Sequence, residues 1–492
     1  MTYYLTTPIY YVNAEPHLGH AYTTIAADIL ARHMRQRGEE VFFLTGTDEH
    51  GEPVAQAAER EGVTPQALVD RNAPKFENLV KRVNATNDFF IRTSDDQHKK
   101  AVQDVLQRVH DAGHVYAGHY EGYYCPRCAD FKTDAELIDG NKCPIHLIVL
   151  EREVEDNWFF RLSAFQEPLE RWYAEHGSWV LPDFRYNEAL SFIKQGLQDI
   201  SLSRRRISWG VEVPWEPSQV FYVWFDALLN YYTALTYAPG ASVEKFWPPN
   251  VQLLAKDILK FHAVIWPALL MAADLPLPKQ LYIHGYLLLD EHKMSKSLGN
   301  VIDPFQIIEK FGTDALRFYL MREVSFGQDG NVSTEGFETR YTTELANEYG
   351  NLASRTLAMV DRYRDGNVAR AGDTDAMPGI AQRVCDRLDR IDITGALDVI
   401  WQEIRALNAY VAAEEPWKIA KDPDRAGELD AVLYRLVEGL RVLSILLHPW
   451  IPDSTTKLLD ALGVEDRAMP TFGDWAGGHV RKIDPLFPRI DG

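Results

Sequence analysis

The sequence predicts an α/β fold: a doubly wound parallel sheet, split by an inserted cysteine-bearing domain and followed by an α-helical bundle. Three observations predict it. Short apolar runs alternate with amphipathic helical stretches over residues 1–115 and again over 221–284, the pattern of strand–helix–strand units. Between them, residues 116–220 lose that alternation and hold three of the four cysteines. From about Glu335 onward the apolar spacing is almost continuously helical.

The first strand is read at Tyr3 to Tyr10 and leads through a short loop into His17-Leu18-Gly19-His20. Ile25, Ala26, Ile29 and Leu30 then recur at helical spacing up to Arg37, and Gly38 is a stop. His17 and His20 therefore sit at a helix N-terminus, where unpaired amides and the positive end of the dipole favour phosphate. Two imidazoles add donors, and Gly19 lets a flat base approach the backbone. Taken alone, four residues describe equally well two histidines on a surface cap.

Glu40 to Thr45 reads as the second strand, with the polar loop Gly46-Thr47-Asp48-Glu49-His50-Gly51 at its end. A helical stretch runs to Arg60. Thr64-Pro65 caps a helix over Gln66 to Val83, and Asp96 to Ala112 is another, stopped by Gly113. Ligands of such a sheet bind beyond the carboxyl ends of its strands, where both the His17 and the Asp48 loops lie. In the insertion, Arg204-Arg205-Arg206 is read as a solvated edge, with contact to nucleic-acid phosphate as the alternative. The α/β pattern returns with a helix through Tyr231, the strand Val251 to Ala255, a helix from Ile258 and the strand Leu281 to Ile283. Helices are expected from Asp303-Pro304 and over Thr313 to Met321. Leu433, Leu436, Val437, Leu440, Leu443 and Leu447 form the stripe of a bundle helix ended at His448-Pro449, and the Gly- and Pro-rich stretch from about Arg467 is read as packing along the surface.

Size and composition exclude several classes. A chain of 492 residues, 46% hydrophobic, makes about three domains with substantial cores. No signal peptide or membrane span is expected, because the longest apolar run, near Ala263 to Ala273, is broken by Pro267 and closed by Asp274. Four cysteines in so long a chain are no disulfide framework; a reducing cytosol fits them better. The formal charge of −20 argues against broad nonspecific binding to nucleic acid, so an RNA partner needs local basic patches.

Far downstream lies Lys293-Met294-Ser295-Lys296-Ser297, followed by Leu298-Gly299-Asn300. Such a loop can bring two ammonium groups to a triphosphate. With HLGH and KMSKS in this order, the sequence resembles the class I aminoacyl-tRNA synthetases, whose signatures are HIGH and KMSKS. The Pro8-Ile9-Tyr10-Tyr11 loop, Asp48-Glu49-His50-Gly51, Val223-Trp224-Phe225-Asp226-Ala227-Leu228-Leu229-Asn230-Tyr231 and Ala255-Lys256-Asp257-Ile258-Leu259-Lys260-Phe261-His262 match the methionyl-tRNA synthetase family in order and spacing. Synthetases for isoleucine, leucine and valine share both signatures but add a large editing domain that a chain of this length lacks. The cysteine enzyme puts zinc in its amino-acid pocket, whereas the cysteines here lie in the insertion. A paralogue that binds tRNA without catalysis is disfavoured by the intact histidines and lysines.

The resemblance implies a Rossmann-type catalytic domain in two halves, 1–115 and 221–284, an inserted connective domain with a zinc knuckle over 116–220, a KMSKS and stem-contact region over 285–348, and a helical anticodon-binding domain over 349–492. It implies that Ile9, Tyr11, Trp224, Ala227, Leu228, Tyr231, Ile258 and His262 surround the methionine side chain while Asp48 pairs with its ammonium. Gly19, Lys256, Asp257, Gly285 and Leu287 would lie around adenosine, and His17, His20, Lys293 and Lys296 would stabilise phosphate charge. Asn351, Arg355 and Trp417 resemble the family's readers of the CAU anticodon; for Trp417 the alternative is a tryptophan buried between helices. The expected partners are ATP with Mg²⁺, L-methionine and tRNA(Met). A monomer is expected, since the chain ends without the tRNA-binding domain that some members append, and a cytoplasmic location is expected from the reduced cysteines.

Cys125-Pro126-Arg127-Cys128 and Cys143-Pro144-Ile145-His146 form two knuckles that can converge on one tetrahedral ion, predicting a structural zinc held by Cys125, Cys128, Cys143 and His146. His114 and His119 are alternative fourth ligands, and three reduced core cysteines are the alternative to a metal. Many relatives carry cysteine where this sequence has His146.

Overall fold

The computed structural model describes residues 1–125, 130–132, 134–145, 147–289, 292–293, 303–372 and 376–489. Its principal sheet has six parallel strands in the order Phe89–Arg92, Glu40–Asp48, Thr2–Tyr11, Val251–Ala255, Leu281–His284, Val180–Leu181. The strand order reverses direction between Thr2–Tyr11 and Val251–Ala255, which pair at Leu5 with Val251. A crevice at the carboxyl ends of these two strands is the switch point where doubly wound sheets bind ligands.

Alternation along each strand explains why the sheet is covered on both faces. Leu5, Val41, Phe43 and Leu253 belong to one core, with the helix Leu18–Gln36, while Tyr4, Phe42, Leu44 and Leu254 belong to another, with the helix Val223–Tyr237. Successive side chains point to opposite faces, so a strand buried on both sides reads as an unbroken apolar run. The register between the first two strands shifts between Thr6 and Ile9, around Pro8, which has no amide to give the ladder.

The stretch read as an insertion contains a four-stranded antiparallel sheet, ordered Asp130–Lys132, Val115–Cys125, Glu151–Phe160, Ile200–Ser201. It also departs from that reading: Val180–Leu181, inside the 116–220 span, pairs in parallel with Leu281–His284 and forms the edge of the principal sheet. A two-residue strand carries no periodicity by which it could be found. The arginine run departs as well. Arg204 is buried, donating to the carbonyls of Ser201 and Ser203 with its guanidinium 4.1 Å from the Tyr222 ring centroid, whereas Arg205 and Arg206 are exposed.

The C-terminal region is helical, led by Asn351–Arg364, Ile393–Glu414, Ala426–Leu447 and Pro452–Ala461. The Ala426–Leu447 helix is buried on every side from Val432 on, not along one stripe, and it shares a core with the Leu18–Gln36 helix. Buried charges tie these parts together. Arg317, on the helix Thr313–Glu323, donates to Asp28 of the Leu18–Gln36 helix at 2.7 Å and to the carbonyls of Val83, Pro449 and Trp450, with both side chains fully buried. The Gly- and Pro-rich end pairs too: Gly477–His479 runs antiparallel to Asn367–Ala369. No helix among the described residues is long and apolar enough to cross a membrane.

Candidate active site

The Leu18–Gln36 helix is capped by the two histidines themselves. His17 Nδ1 accepts from the Gly19 amide and His20 Nδ1 accepts from the His17 amide, both at 3.1 Å, and the rings stack with centroids 3.8 Å apart. An Nδ1 that accepts an amide hydrogen is unprotonated, so in each neutral ring Nε2 carries the proton and is the donor the ring can offer an anion. Gly19 has a local reason beyond closeness to a ligand: a Cβ there would sit 2.9 Å from the His17 ring. Tyr10 and Phe76 brace the His20 ring, with centroids at 4.7 and 5.2 Å.

These histidines line one wall of a cavity of about 640 Å³ at the switch point. The same cavity is lined by Ile9, Tyr11, Asp48, Trp224, Ala227, Leu228, Tyr231, Ile258 and His262, and by Gly19, Asp257, Gly285 and Leu287. Its walls come from the carboxyl ends of four parallel strands, the N-terminal parts of the helices Leu18–Gln36 and Val223–Tyr237, and the segment from Asp257 to His262. Lys256 is the exception among the adenosine residues. It is not among the lining residues; its ammonium lies 2.5 Å from Asp329. Lys293 ends the described part of the hairpin Leu287–Leu289 with His292–Lys293, and Lys296 lies outside the described residues.

The end of the cavity near Asp48 is lined mainly by aromatic and aliphatic side chains. Trp224 stacks on Phe261 at 3.7 Å, and Tyr11 meets the Trp224 ring edge-on. His262 donates from Nδ1 to the Ile258 carbonyl and accepts from the Tyr231 hydroxyl at 2.8 Å. Burial holds its pKa down at about 4, so the imidazole stays uncharged at neutral pH. Asp48 is the one acidic group at this end among the lining residues. It is 2% exposed, and its Oδ1 has no hydrogen-bond partner. Burial, then the nearby Asp226 charge, pushes its carboxyl well above the ordinary range. The carboxyl accepts from the His50 amide and the Tyr11 hydroxyl, but a buried carboxylate oxygen left without a partner is unfavourable until a cation meets it. Behind it, Asp226 is gripped by His50 at 2.6 Å and His98 at 2.7 Å, and His98 bonds Thr233. Burial opposes ionisation of Asp226, but the two histidines outweigh it and hold its pKa at about 2.

Several lining residues were not anticipated, notably Thr23, His284 and Tyr286. His284 is buried, bonds the Thr23 hydroxyl at 2.8 Å and donates to the Gly285 carbonyl. Its place at the carboxyl end of Leu281–His284 is the available sequence signal. Of the zinc set, Cys125 and Cys143 are fully buried in one small cluster with Leu150, while Cys128 and His146 lie outside the described residues. No group of three or more candidate metal ligands occurs among the described residues. Asn351 is exposed, Arg355 is half-buried, and Trp417 is 37% exposed, outside the helical cores.

The family "tRNA synthetases class I (M)" matches residues 3–151 and 149–357. The methionine–tRNA ligase of Streptomyces coelicolor is 44% identical over 522 residues, covering 99% of this chain and 97% of its own. That of Caldanaerobacter subterraneus is 42% identical over 505 residues, covering 100% of this chain and 79% of its own. Mycobacterium tuberculosis methionyl-tRNA synthetase in complex with methionyl-adenylate superposes with a TM-score of 0.94 at 39% identity, over 99% of this chain and 100% of that one. The free form of that enzyme gives 0.87 at 35% identity, over 100% of this chain and 98% of that one. The chain belongs to the methionine–tRNA ligase family of class I aminoacyl-tRNA synthetases.

Proposed function

We propose that this cavity activates L-methionine with ATP to methionyl-adenylate, and that the chain transfers the methionyl group to the 3′ end of tRNA(Met), releasing AMP. One observation carries the reading: a single cavity joins an apolar end, holding the unpaired Asp48 oxygen, to a helix start capped by two histidines. The first suits an apolar side chain with an ammonium, the second a phosphate.

In this reading Ile9, Tyr11, Trp224, Ala227, Leu228, Tyr231, Ile258 and His262 enclose the thioether, which aromatic rings favour by its polarizability. Asp48 takes the ammonium and so aims the methionine carboxylate across the cavity. A carboxylate oxygen forms a bond to the α-phosphorus of ATP as the bond to the pyrophosphate oxygen breaks. No enzyme nucleophile is needed; positioning and fixed donors carry the catalysis. The Nε2 protons of His17 and His20 stabilise the growing phosphate charge. Gly19, Asp257, Gly285 and Leu287 hold adenosine, with Lys256 beside them. Lys293 and Lys296 bring positive charge to the triphosphate, and Mg²⁺ accompanies ATP through phosphate oxygens and water.

A zinc held by Cys125, Cys128, Cys143 and His146 braces the insertion without joining the chemistry, as a closed four-ligand site must. The shared burial of Cys125 and Cys143 supports it, as does the turn in which Leu147 donates to the Cys143 carbonyl. Asn351, Arg355 and Trp417 read the anticodon; the exposure of Trp417 favours stacking over a core role. The enzyme acts in the cytoplasm as a monomer. Charging assays test the whole sequence of steps. Methionine should be esterified to tRNA(Met) with one AMP per methionyl group, and no charging in the presence of ATP, Mg²⁺ and methionine would overturn the reading.

A further inference from the structure

The segment Val324–Asp329, between the helix Thr313–Glu323 and the short strand Gly330–Asn331, touches the nucleotide end of the cavity from outside. A Cβ on Gly285 would fall 2.3 Å from the Gln328 carbonyl carbon and 2.4 Å from the Asp329 nitrogen, so cavity wall and segment are in direct backbone contact. The two oxygens of Asp329 then do different things. Oδ1 accepts from the Tyr286 amide at 2.8 Å, and Oδ2 takes the Lys256 ammonium at 2.5 Å. That ammonium also lies 4.3 Å from the Tyr286 ring centroid. Gly330 donates to the Tyr286 carbonyl, and Leu287 pairs with Gly330, which sets the base of the hairpin leading to Lys293. At its other end the segment is held by Thr394 of the Ile393–Glu414 helix, whose hydroxyl accepts from the Phe326 amide at 3.1 Å. Asp329 itself does not line the cavity.

We propose that Asp329 is the positioning residue of the nucleotide half of the site: one carboxylate oxygen fixes the Tyr286 wall and the other fixes the Lys256 ammonium, so that it sets ATP affinity and leaves methionine binding alone. This rests on the reading that the cavity takes ATP and methionine together. The ion pair is partly exposed, with the side chains 24% and 40% accessible, so its loss alone costs the fold little. A long, freely rotating lysine gains most from being held in place before its ligand arrives, which is the service a fixed carboxylate provides.

The experiment is pyrophosphate exchange into ATP with KM measured separately for ATP and methionine, alongside melting temperature, for wild type, Asp329→Asn, Asp329→Ala, Lys256→Met and Lys256→Met/Asp329→Asn. Asp329→Asn should raise KM for ATP about tenfold, the equivalent of one charge-assisted hydrogen bond, with KM for methionine and melting temperature unchanged. Asp329→Ala, which loses the acceptor for Tyr286 as well, should raise it further. In the Lys256→Met background, Asp329→Asn should add nothing. An unchanged KM for ATP in Asp329→Asn, full additivity with Lys256→Met, or a parallel rise in KM for methionine with a lower melting temperature would each overturn the proposal. Wild-type protein without methionine-dependent exchange would overturn the underlying reading, and this inference with it.

Discussion

Replacing Asp48 by asparagine removes the charge at the apolar end of the cavity while keeping the shape of the side chain. Asp48 Oδ1 is buried and unpaired, and burial with the neighbouring Asp226 charge holds the carboxyl well above its ordinary pKa. A methionine ammonium reverses that balance, because it favours the ionised form. Binding should therefore expel the Asp48 proton at pH values between the lowered pKa of the methionine-bound site and the raised pKa of the free one. Affinity should fall as the pH drops, since the neutral carboxyl must then be ionised at a cost. In Asp48→Asn no proton is available, and the charge-assisted hydrogen bond, worth about 1.5–3 kcal/mol, is lost, which corresponds to roughly 10- to 150-fold weaker methionine binding. Calorimetric titration in two buffers of different ionisation enthalpy reads both quantities. Wild type should show a buffer-dependent heat from proton release and Asp48→Asn none. Methionine binding by Asp48→Asn within threefold of wild type, with the same buffer dependence, would refute the assignment of Asp48.

Four further outcomes test other parts of the chain. Arg317→Leu breaks a fully buried pair with Asp28, but Asp28 keeps Arg32 at 2.7 Å, so the loss should lie near the low end of about 3–5 kcal/mol, read from the denaturation midpoint. Lys296→Ala should lower kcat for adenylate formation while methionine affinity in direct titration stays at its wild-type value, because the ammonium meets phosphate and not the amino acid. Trp417→Ala should leave methionine activation intact and weaken tRNA(Met) by about 1–3 kcal/mol if a base stacks on the ring, seen as a higher KM in charging assays. Elemental analysis should find one zinc per chain, retained in Cys385→Ser and lost in His146→Leu; zinc-free wild type or a zinc-replete His146→Leu sinks the four-ligand set.

Much of this architecture is legible in the chain because its physical causes are local. The strands of the doubly wound sheet are buried on both faces and read as apolar runs, and Val251–Ala255 has the bounds its sequence announces. Helix starts are written in caps: Thr64 accepts from the Ala67 amide and Asp303 from the Phe305 amide. Loops at strand carboxyl ends locate the cavity, so His17 and Asp48 could be singled out before any coordinates, while Asp257 is picked out by the family resemblance alone. What escapes is set by contacts between distant residues. The Asp226, His50 and His98 cluster joins three segments with no common pattern, and the Lys256–Asp329 pair spans 73 residues. Arg204 reads as one third of a charge run, yet it lies on a strand whose buried face places it between Tyr124 and Tyr222 while its two neighbours stay in solvent.

The most direct test of the account is exchange of labelled pyrophosphate into ATP by the purified protein, measured with each of the twenty amino acids in turn. The geometry predicts exchange with methionine far above every other amino acid, including isoleucine, leucine and cysteine, and its collapse in His17→Ala and His20→Ala. Equal exchange with leucine or isoleucine, or methionine-dependent exchange that survives loss of both histidines, would contradict it.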